Sequence, residues 1–200
     1  MGLSTIVKCA AIFVLGASLA GCVDAEVDVA VTSDSTARAT LTQIMGADFY
    51  AMVKMNAAES EASEDDFCAE GELTENADGS ATCVIVEEGD FATIAGLGDG
   101  ENAIAFTSAG PGLVRVALPT EELTGEIGAA DEMDAETRQM VEAFFAGRAI
   151  TIRISGGEIT ETNMDKAADG QSAAKVLPFL DLINGTAELP AELYAIVRAP

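Results

Sequence analysis

Cysteine and carboxylate side chains are the groups in this chain that could carry chemistry, because the usual general base is missing. The sequence contains four cysteines and 34 acidic residues, but no histidine and no tryptophan. A nucleophilic serine or cysteine would therefore lack its histidine base, and a zinc site would lack its commonest neutral ligand. From the sequence we assign no catalytic residue, no metal site and no cofactor.

Cys22 follows a short apolar segment at the N-terminus. A single cation, Lys8, precedes an uncharged run over residues 9–20, which is long enough for the apolar core of a signal peptide. The run is shorter than the about 20 apolar residues that span a bilayer. The tetrapeptide that closes it, Leu19-Ala20-Gly21-Cys22, resembles the lipobox of bacterial lipoproteins. In that motif the thiol receives a diacylglyceryl group, the residues before the cysteine are removed, and the new amino group is usually acylated.

The lipobox implies a signal peptide at residues 1–21 and a single extracytoplasmic domain at residues 22–200, attached to the membrane through lipidated Cys22. Two or more acyl chains give stable attachment, whereas one chain holds only marginally. An aspartate directly after the cysteine resembles an inner-membrane retention signal, but here Val23 separates Cys22 from Asp24. We therefore expect a cell-envelope location facing the periplasm or the exterior, with the outer membrane favoured. The alternative is an ordinary secretory signal that leaves Cys22 as a free thiol.

Cys68 and Cys83 remain once Cys9 leaves with the signal peptide and Cys22 takes lipid. They form an even pair in an oxidising compartment, which favours a disulfide. Between them, Asn76-Ala77-Asp78-Gly79 is typical of a turn joining two strands. We expect the disulfide to close this hairpin. A redox centre is the alternative, but such centres usually have Cys-X-X-Cys spacing and a lowered thiol pKa.

The charge of the predicted mature chain limits its partners. Residues 22–200 carry nine basic and 34 acidic side chains, a net charge of −25. Such a charge repels nucleic acid phosphates and disfavours flat adsorption on anionic lipid headgroups. In the simplest interpretation the acidic surface keeps the protein soluble. In a more specific one it binds a basic protein partner or divalent cations.

Alternating apolar and polar residues predict most strands, and helical spacing of apolar residues predicts two helices. Strands are expected at 27–31, 36–44, 102–107, 113–118, 148–155, 158–163 and 194–197, besides those of the cystine hairpin. Helices are expected at 47–58 and from Asp131 or Asp134 to Gly147, whereas 177–183 is ambiguous. The predicted fold is α+β: antiparallel β-hairpins form a sheet, and two or three helices pack on one face.

The second predicted helix carries an apolar stripe with two interpretations. Its members are Met133, Thr137, Met140, Val141, Phe144 and Phe145. Core packing is the first interpretation. The second is the lining of a ligand cavity, because methionine and phenylalanine supply an adaptable apolar surface.

Several stretches resemble the LppM-type domain, found in uncharacterised anchored lipoproteins of bacteria. They are residues 152–163 (Ile-Arg-Ile-Ser-Gly-Gly-Glu-Ile-Thr-Glu-Thr-Asn), Asp169-Gly170, Leu193-Tyr194-Ala195-Ile196 and the strand–turn–strand of residues 27–41. The resemblance implies an anchored α/β domain with a lipid- or glycolipid-binding cavity and no known catalytic residues.

Two patterns of acidic residues suggest other chemistry. Residues 76–79 could belong to a calcium loop, but Thr74 and Ile85 stand where such a loop needs acidic ligands, so we interpret the segment as a turn. Paired carboxylates could hydrolyse glycosides, and the candidates are Asp99, Glu101, Glu121 and Glu122.

The first functional hypothesis is therefore a membrane-anchored lipoprotein with a non-enzymatic binding or structural domain, for a lipid-like ligand or a protein partner. The first alternative is an accessory subunit that recruits a basic protein partner through its acidic surface. The second is a carboxylate-dependent hydrolase. Nucleic acid is excluded as a partner in all three.

Overall fold

The structure is a computed structural model, and it describes residues 23–59, 67–96, 103–120 and 134–200. These residues form strands and helices in an α+β arrangement, which confirms the predicted fold class. Among them, none of the helices has the length and apolar character needed to cross a membrane. The predicted signal peptide, Cys22, Met133 and the four hydrolase candidates lie outside the described residues.

Eleven strands and four helices follow one another along the described residues. The strands are β1 (Val23–Val31), β2 (Thr36–Met45), β3 (Glu72–Glu75), β4 (Ala81–Asp90), β5 (Ala105–Gly110), β6 (Leu113–Pro119), β7 (Ala149–Ser155), β8 (Glu158–Thr162), β9 (Asp165–Lys166), β10 (Ser172–Pro178) and β11 (Glu192–Arg198). The helices are α1 (Ala47–Glu59), α2 (Phe91–Ala95), α3 (Ala135–Phe145) and α4 (Phe179–Ile183).

The described strands divide between two sheets. The larger has the order β3-β4-β2-β1-β7-β10-β9, and the smaller has the order β5-β6-β11-β8. The predicted hairpins β1–β2, β3–β4 and β5–β6 are present as antiparallel pairs. Two features go beyond the prediction of one sheet of hairpins: there are two sheets, and β1 also pairs in parallel with β7. The strand that begins at Val23 is therefore the middle strand of the larger sheet.

The main hydrophobic core draws on both sheets. On β1 and β7 every second residue is buried, as the alternating sequence predicts. The core members contributed by the larger sheet include Val27, Val29, Val31, Ile150, Ile152 and Ile154, and those of the smaller sheet include Val114, Val116, Leu193, Ala195 and Val197. Full burial of each valine, leucine or isoleucine contributes about 1.5–3 kcal/mol, so this shared core holds the two sheets together.

Gly156 and Gly157 form the corner at which the chain passes from the larger sheet to the smaller. The Gly156 φ of 101° is a conformation that other residues rarely adopt. A Cβ on Gly156 would overlap the Val31 carbonyl oxygen, and a Cβ on Gly157 would overlap the Arg198 carbonyl oxygen. The glycine pair therefore lets the corner fit between the last residues of β1 and β11.

The helices α1 and α3 do not bury all of the apolar side chains that the sequence suggested. In α3, Val141 and Phe145 pack on the main core, but Met140 and Phe144 are exposed. Thr137, a third member of the predicted stripe, is exposed as well, so core packing is wrong for these three residues. Because an α-helix turns about 100° per residue, Met140 and Phe144 lie on one face and Val141 and Phe145 on the next.

Candidate functional site

The beginning of β1 is the point at which the predicted lipid anchor joins the domain. Val23, the residue after Cys22, pairs with Met45, the last residue of β2. Only Gly46 separates Met45 from Ala47, where α1 begins. We call the start of β1, the end of β2 and the start of α1 the anchor end of the domain.

Asp24 ties a distant part of the chain to the anchor end. Its Oδ2 accepts a hydrogen bond from Arg148 Nη1 at 2.7 Å, and its Oδ1 accepts one from the Ala149 backbone amide at 3.0 Å. Arg148 lies between the end of α3 and the start of β7, and its backbone amide donates to the Phe145 carbonyl at 3.0 Å. The C-terminal end of α3 is therefore held beside the start of β1.

Two further polar pairs continue along the outer face of β1. Arg153 Nε donates to Glu26 Oε1 at 2.8 Å, and Ser155 Oγ donates to Asp28 Oδ1 at 2.8 Å. Burial raises the pKa of Asp28, and the hydrogen bond from Ser155 and the charge of Arg153 oppose the shift only in part. The hydrogen bond to Glu26 raises the pKa of Arg153 above the usual value of an arginine side chain. With the Asp24 pair, these contacts join the parallel strands β1 and β7 side by side.

A disulfide joins Cys68 to Cys83, as the sequence analysis expects. The two Cα atoms are 5.5 Å apart, and both cysteines are buried. It connects the segment before β3 to the middle of the β3–β4 hairpin. A Cβ on Gly71 would come within 2.9 Å of the Cys83 sulfur, so the chain passes closely over the bridge. Its position among buried groups suits a structural crosslink.

Other acidic side chains also have partners within the fold. Glu75 accepts hydrogen bonds from Tyr50 Oη at 2.9 Å and Lys54 Nζ at 3.1 Å, and the hydrogen bond from Lys54 is the largest cause of its lowered pKa. Asp78 accepts from the Ser80 hydroxyl at 2.6 Å, which lowers the Asp78 pKa and fixes the turn predicted at 76–79.

Two more aspartates cap helices. Asp90 accepts from the Thr93 amide at 2.7 Å at the start of α2, and Asp134 accepts from the Thr137 amide at 2.8 Å at the start of α3. These bonds lower the pKa of both carboxyl groups, because they stabilise the charged form. In the part of the chain that the structure describes, no group of three or more acidic, cysteine or histidine side chains could hold a metal ion.

A group of apolar side chains is exposed on α1 and α3. Their exposed fractions are 46% for Met52, 69% for Met55, 61% for Met140 and 42% for Phe144. The Phe144 ring meets the Phe49 ring edge to face, with 6.3 Å between the ring centres. Residues three or four apart share a helix face, so this contact joins the exposed residues of the two helices. We call these four exposed residues, together with the partly buried Phe49, the helix patch.

The sequence indicates the apolar stripe of α3 but not the exposure of Met140 and Phe144, and the helical spacing predicted for α1 does not include Met55. The signal that could have revealed this exposure is the width of the apolar surface on α3. Met140, Val141, Phe144 and Phe145 cover two adjoining faces of one helix, and a helix at the edge of a domain buries only one such face.

The fold that these elements define is an α+β domain of two packed sheets. No known family model matches the sequence, and no curated protein matches it either. Among solved structures, the chain is similar to the folded domain of the LppM protein of Mycobacterium tuberculosis, with a TM-score of 0.46 and 9% sequence identity. The similarity covers 90% of this chain and 91% of that domain.

Proposed function

We propose that this chain is a membrane-anchored lipoprotein whose domain is a non-enzymatic binding or structural unit outside the cytoplasm. The observation that carries the proposal is the position of the lipobox. The last residue of the lipobox Leu19-Ala20-Gly21-Cys22 is directly followed by Val23, the first residue of β1. Cleavage before Cys22 would remove no part of β1 and would leave the acylated cysteine next in sequence to Val23, the first residue of the middle strand of the larger sheet.

The acidic side chains support a non-enzymatic domain. Asp24, Glu26, Asp28 and Glu75 each bond to a basic or hydroxyl side chain, and Asp90 caps a helix. Carboxylates engaged in this way stabilise the fold, whereas a general acid or base needs access to a substrate proton.

The test compares Cys22→Ser with Cys9→Ser, expressed as full-length chains in bacteria. Cys9 lies in the segment predicted to be removed, so its substitution is the matched control. We expect the natural chain and the Cys9→Ser chain to partition into the detergent phase, and Cys22→Ser to remain in the aqueous phase. Peptide mass spectrometry should find acyl chains on an N-terminal Cys22. Natural protein that begins at Met1 with an unmodified Cys22 would contradict the proposal.

A second candidate function is recruitment of a basic protein partner. It is favoured by the way the basic residues are used: six of them, Arg38, Lys54, Arg115, Arg148, Arg153 and Arg198, form ion pairs within the domain. The sequence has 34 acidic residues and only ten basic ones, so acidic side chains greatly outnumber the basic side chains that could pair with them. Binding of such a partner should weaken steeply as salt is raised.

A further inference from the structure

The helix patch and the anchor end lie at the same end of the domain. The contact between Phe49 and Phe144 is formed by the first turn of α1 and the last turn of α3. The first turn of α1 begins two residues after Met45, the partner of Val23. The last turn of α3 is held there by Arg148, through its ion pair with Asp24 at 2.7 Å. Both helices therefore begin or end beside the residue that follows Cys22.

The two helices are also close to neutral. In a chain with a formal net charge of −24, α1 carries Asp48, Lys54 and Glu59, and α3 carries Glu136, Arg138 and Glu142. Each helix thus has two acidic residues and one basic residue. An anionic phospholipid surface repels a strongly acidic protein, but a net charge of −1 on each helix adds little to that repulsion. Methionine and phenylalanine are side chains that an interfacial helix buries at the headgroup–acyl boundary.

We propose that the helix patch rests on the bilayer that holds acylated Cys22, so that α1 and α3 form the membrane-contact surface of the domain. This inference rests on the proposed lipid anchor. The anchor keeps the patch near the bilayer, so a weak apolar contact is made repeatedly without diffusion from solution. The outward direction of Met140 and Phe144 places the lipid contact on the surface of the domain.

Oxidation of the methionines in the helix patch can report whether the patch contacts lipid. The acylated protein, isolated after expression of the full-length chain, is reconstituted in phosphatidylcholine vesicles and treated with peroxymonosulfate, an anion that does not enter the hydrocarbon. Sulfoxide formation at each methionine is then followed by peptide mass spectrometry. We expect Met52, Met55 and Met140 to oxidise several-fold more slowly than in the unacylated Cys22→Ser protein. Met45 and Met164 are buried and should oxidise slowly in both proteins.

Vesicle flotation separates failure of the inference from failure of the proposed function. Protein that floats with the vesicles while Met52, Met55 and Met140 oxidise as fast as in Cys22→Ser would overturn the membrane-contact surface alone. Protein that carries no acyl chain and does not float would overturn both. If the same methionines of Cys22→Ser oxidise more slowly as the protein concentration rises, without vesicles, then the patch binds a second copy of the chain. That result would also overturn the membrane-contact surface.

A charge placed in the patch provides an independent check. Met140→Glu changes an exposed position of α3 to a good helix former, so the fold should be retained. In vesicles we expect this variant to float normally, but Met52 and Met55 should oxidise as fast as in Cys22→Ser. Val86→Glu is the matched control, because Val86 is 52% exposed on β4 and is not part of the helix patch. It should leave the protection unchanged, and equal protection in Met140→Glu would contradict the proposal.

Discussion

Arg148 Nη1 donates to Asp24 Oδ2 at 2.7 Å, across 124 positions of the chain. The contact joins the first residues of β1 to the junction between α3 and β7. It holds the start of the central strand beside the C-terminal end of α3.

Replacing Asp24 with asparagine tests this junction. Asparagine can still accept from the Ala149 amide, but it loses the ion pair with Arg148. Both side chains are partly exposed, so we expect the free energy of unfolding to fall by about 1 kcal/mol. Urea unfolding of the unacylated protein measures the change. Asp34→Asn, in the exposed turn between β1 and β2, is the control and should have little effect.

Removing the disulfide should destabilise the domain without changing the rest of its fold. Cys68 and Cys83 are 15 positions apart, and a closed loop of this length contributes about 3 kcal/mol in the chain-entropy model. Cys68→Ala/Cys83→Ala should therefore unfold at a clearly lower urea concentration. Reductant should shift the natural sequence in the same direction and leave the variant unaffected. Thiols at these positions that react with a labelling reagent before reduction would argue against the bridge.

The corner between the two sheets should tolerate no side chain at Gly156. Gly156→Ala combines an unfavourable φ with overlap against the Val31 backbone, and we expect a loss of about 3 kcal/mol or more, or failure to fold. Gly185 is the matched control: its φ of 63° is also positive, but a Cβ there would meet nothing within 4 Å. Gly185→Ala should cost only about 1–2 kcal/mol. Comparable unfolding midpoints for the two variants would show that the corner is less crowded than described.

Asp28 should make an unusual contribution to the pH dependence of stability. Its pKa is raised in the folded state by burial, so the folded protein holds this proton to higher pH than the unfolded chain. Its contribution to stability is therefore complete below the unfolded pKa and is lost as the pH rises through the folded pKa. The asparagine side chain in the variant Asp28→Asn cannot ionise, so this contribution is absent from the variant.

The variant Asp28→Asn should thus gain stability relative to the natural sequence as the pH rises from 3.5 to 7, a range chosen about the ordinary aspartate pKa of about 3.9. Urea unfolding at several pH values measures this difference. The capping residue Asp134 has a lowered pKa, and its contribution is lost as the pH falls, so Asp134→Asn should show the opposite trend. If the stability of Asp28→Asn relative to the natural sequence instead rose as the pH falls, burial would not be the dominant influence on the Asp28 pKa.

Local patterns in the sequence predict the local structure well. The alternating valines of β1 and isoleucines of β7 identify strands with one buried face. Of the two predicted caps, Asp131 and Asp134, it is Asp134 that begins α3, and the helix ends before Gly147 as predicted. The Asn76–Gly79 turn and the cysteine pair identify the β3–β4 hairpin. Each of these features depends on residues close together in the chain, where spacing alone determines which face is buried.

The long-range arrangement could not be predicted in the same way. The parallel pairing of Val27 with Ile152 joins segments that no short pattern connects. Strand β10 was missed because Lys175 stands opposite Ile152, where alternation calls for an apolar residue. The five-residue helix α2 is too short to show a period, although Asp90 and Thr93 carry its capping signal. The exposure of Met140 depends on which face of α3 meets the core.

The position of β1 also determines how the domain would respond to mechanical tension. In a chain held at Cys22, a pull on the tether acts along β1, between β2 on one side and β7 on the other. The backbone hydrogen bonds on both sides lie across that direction, so they would be loaded together in shear and could not open one at a time. The domain would therefore resist unfolding by a force applied at Cys22 far better than if the acylated residue preceded an edge strand such as β3.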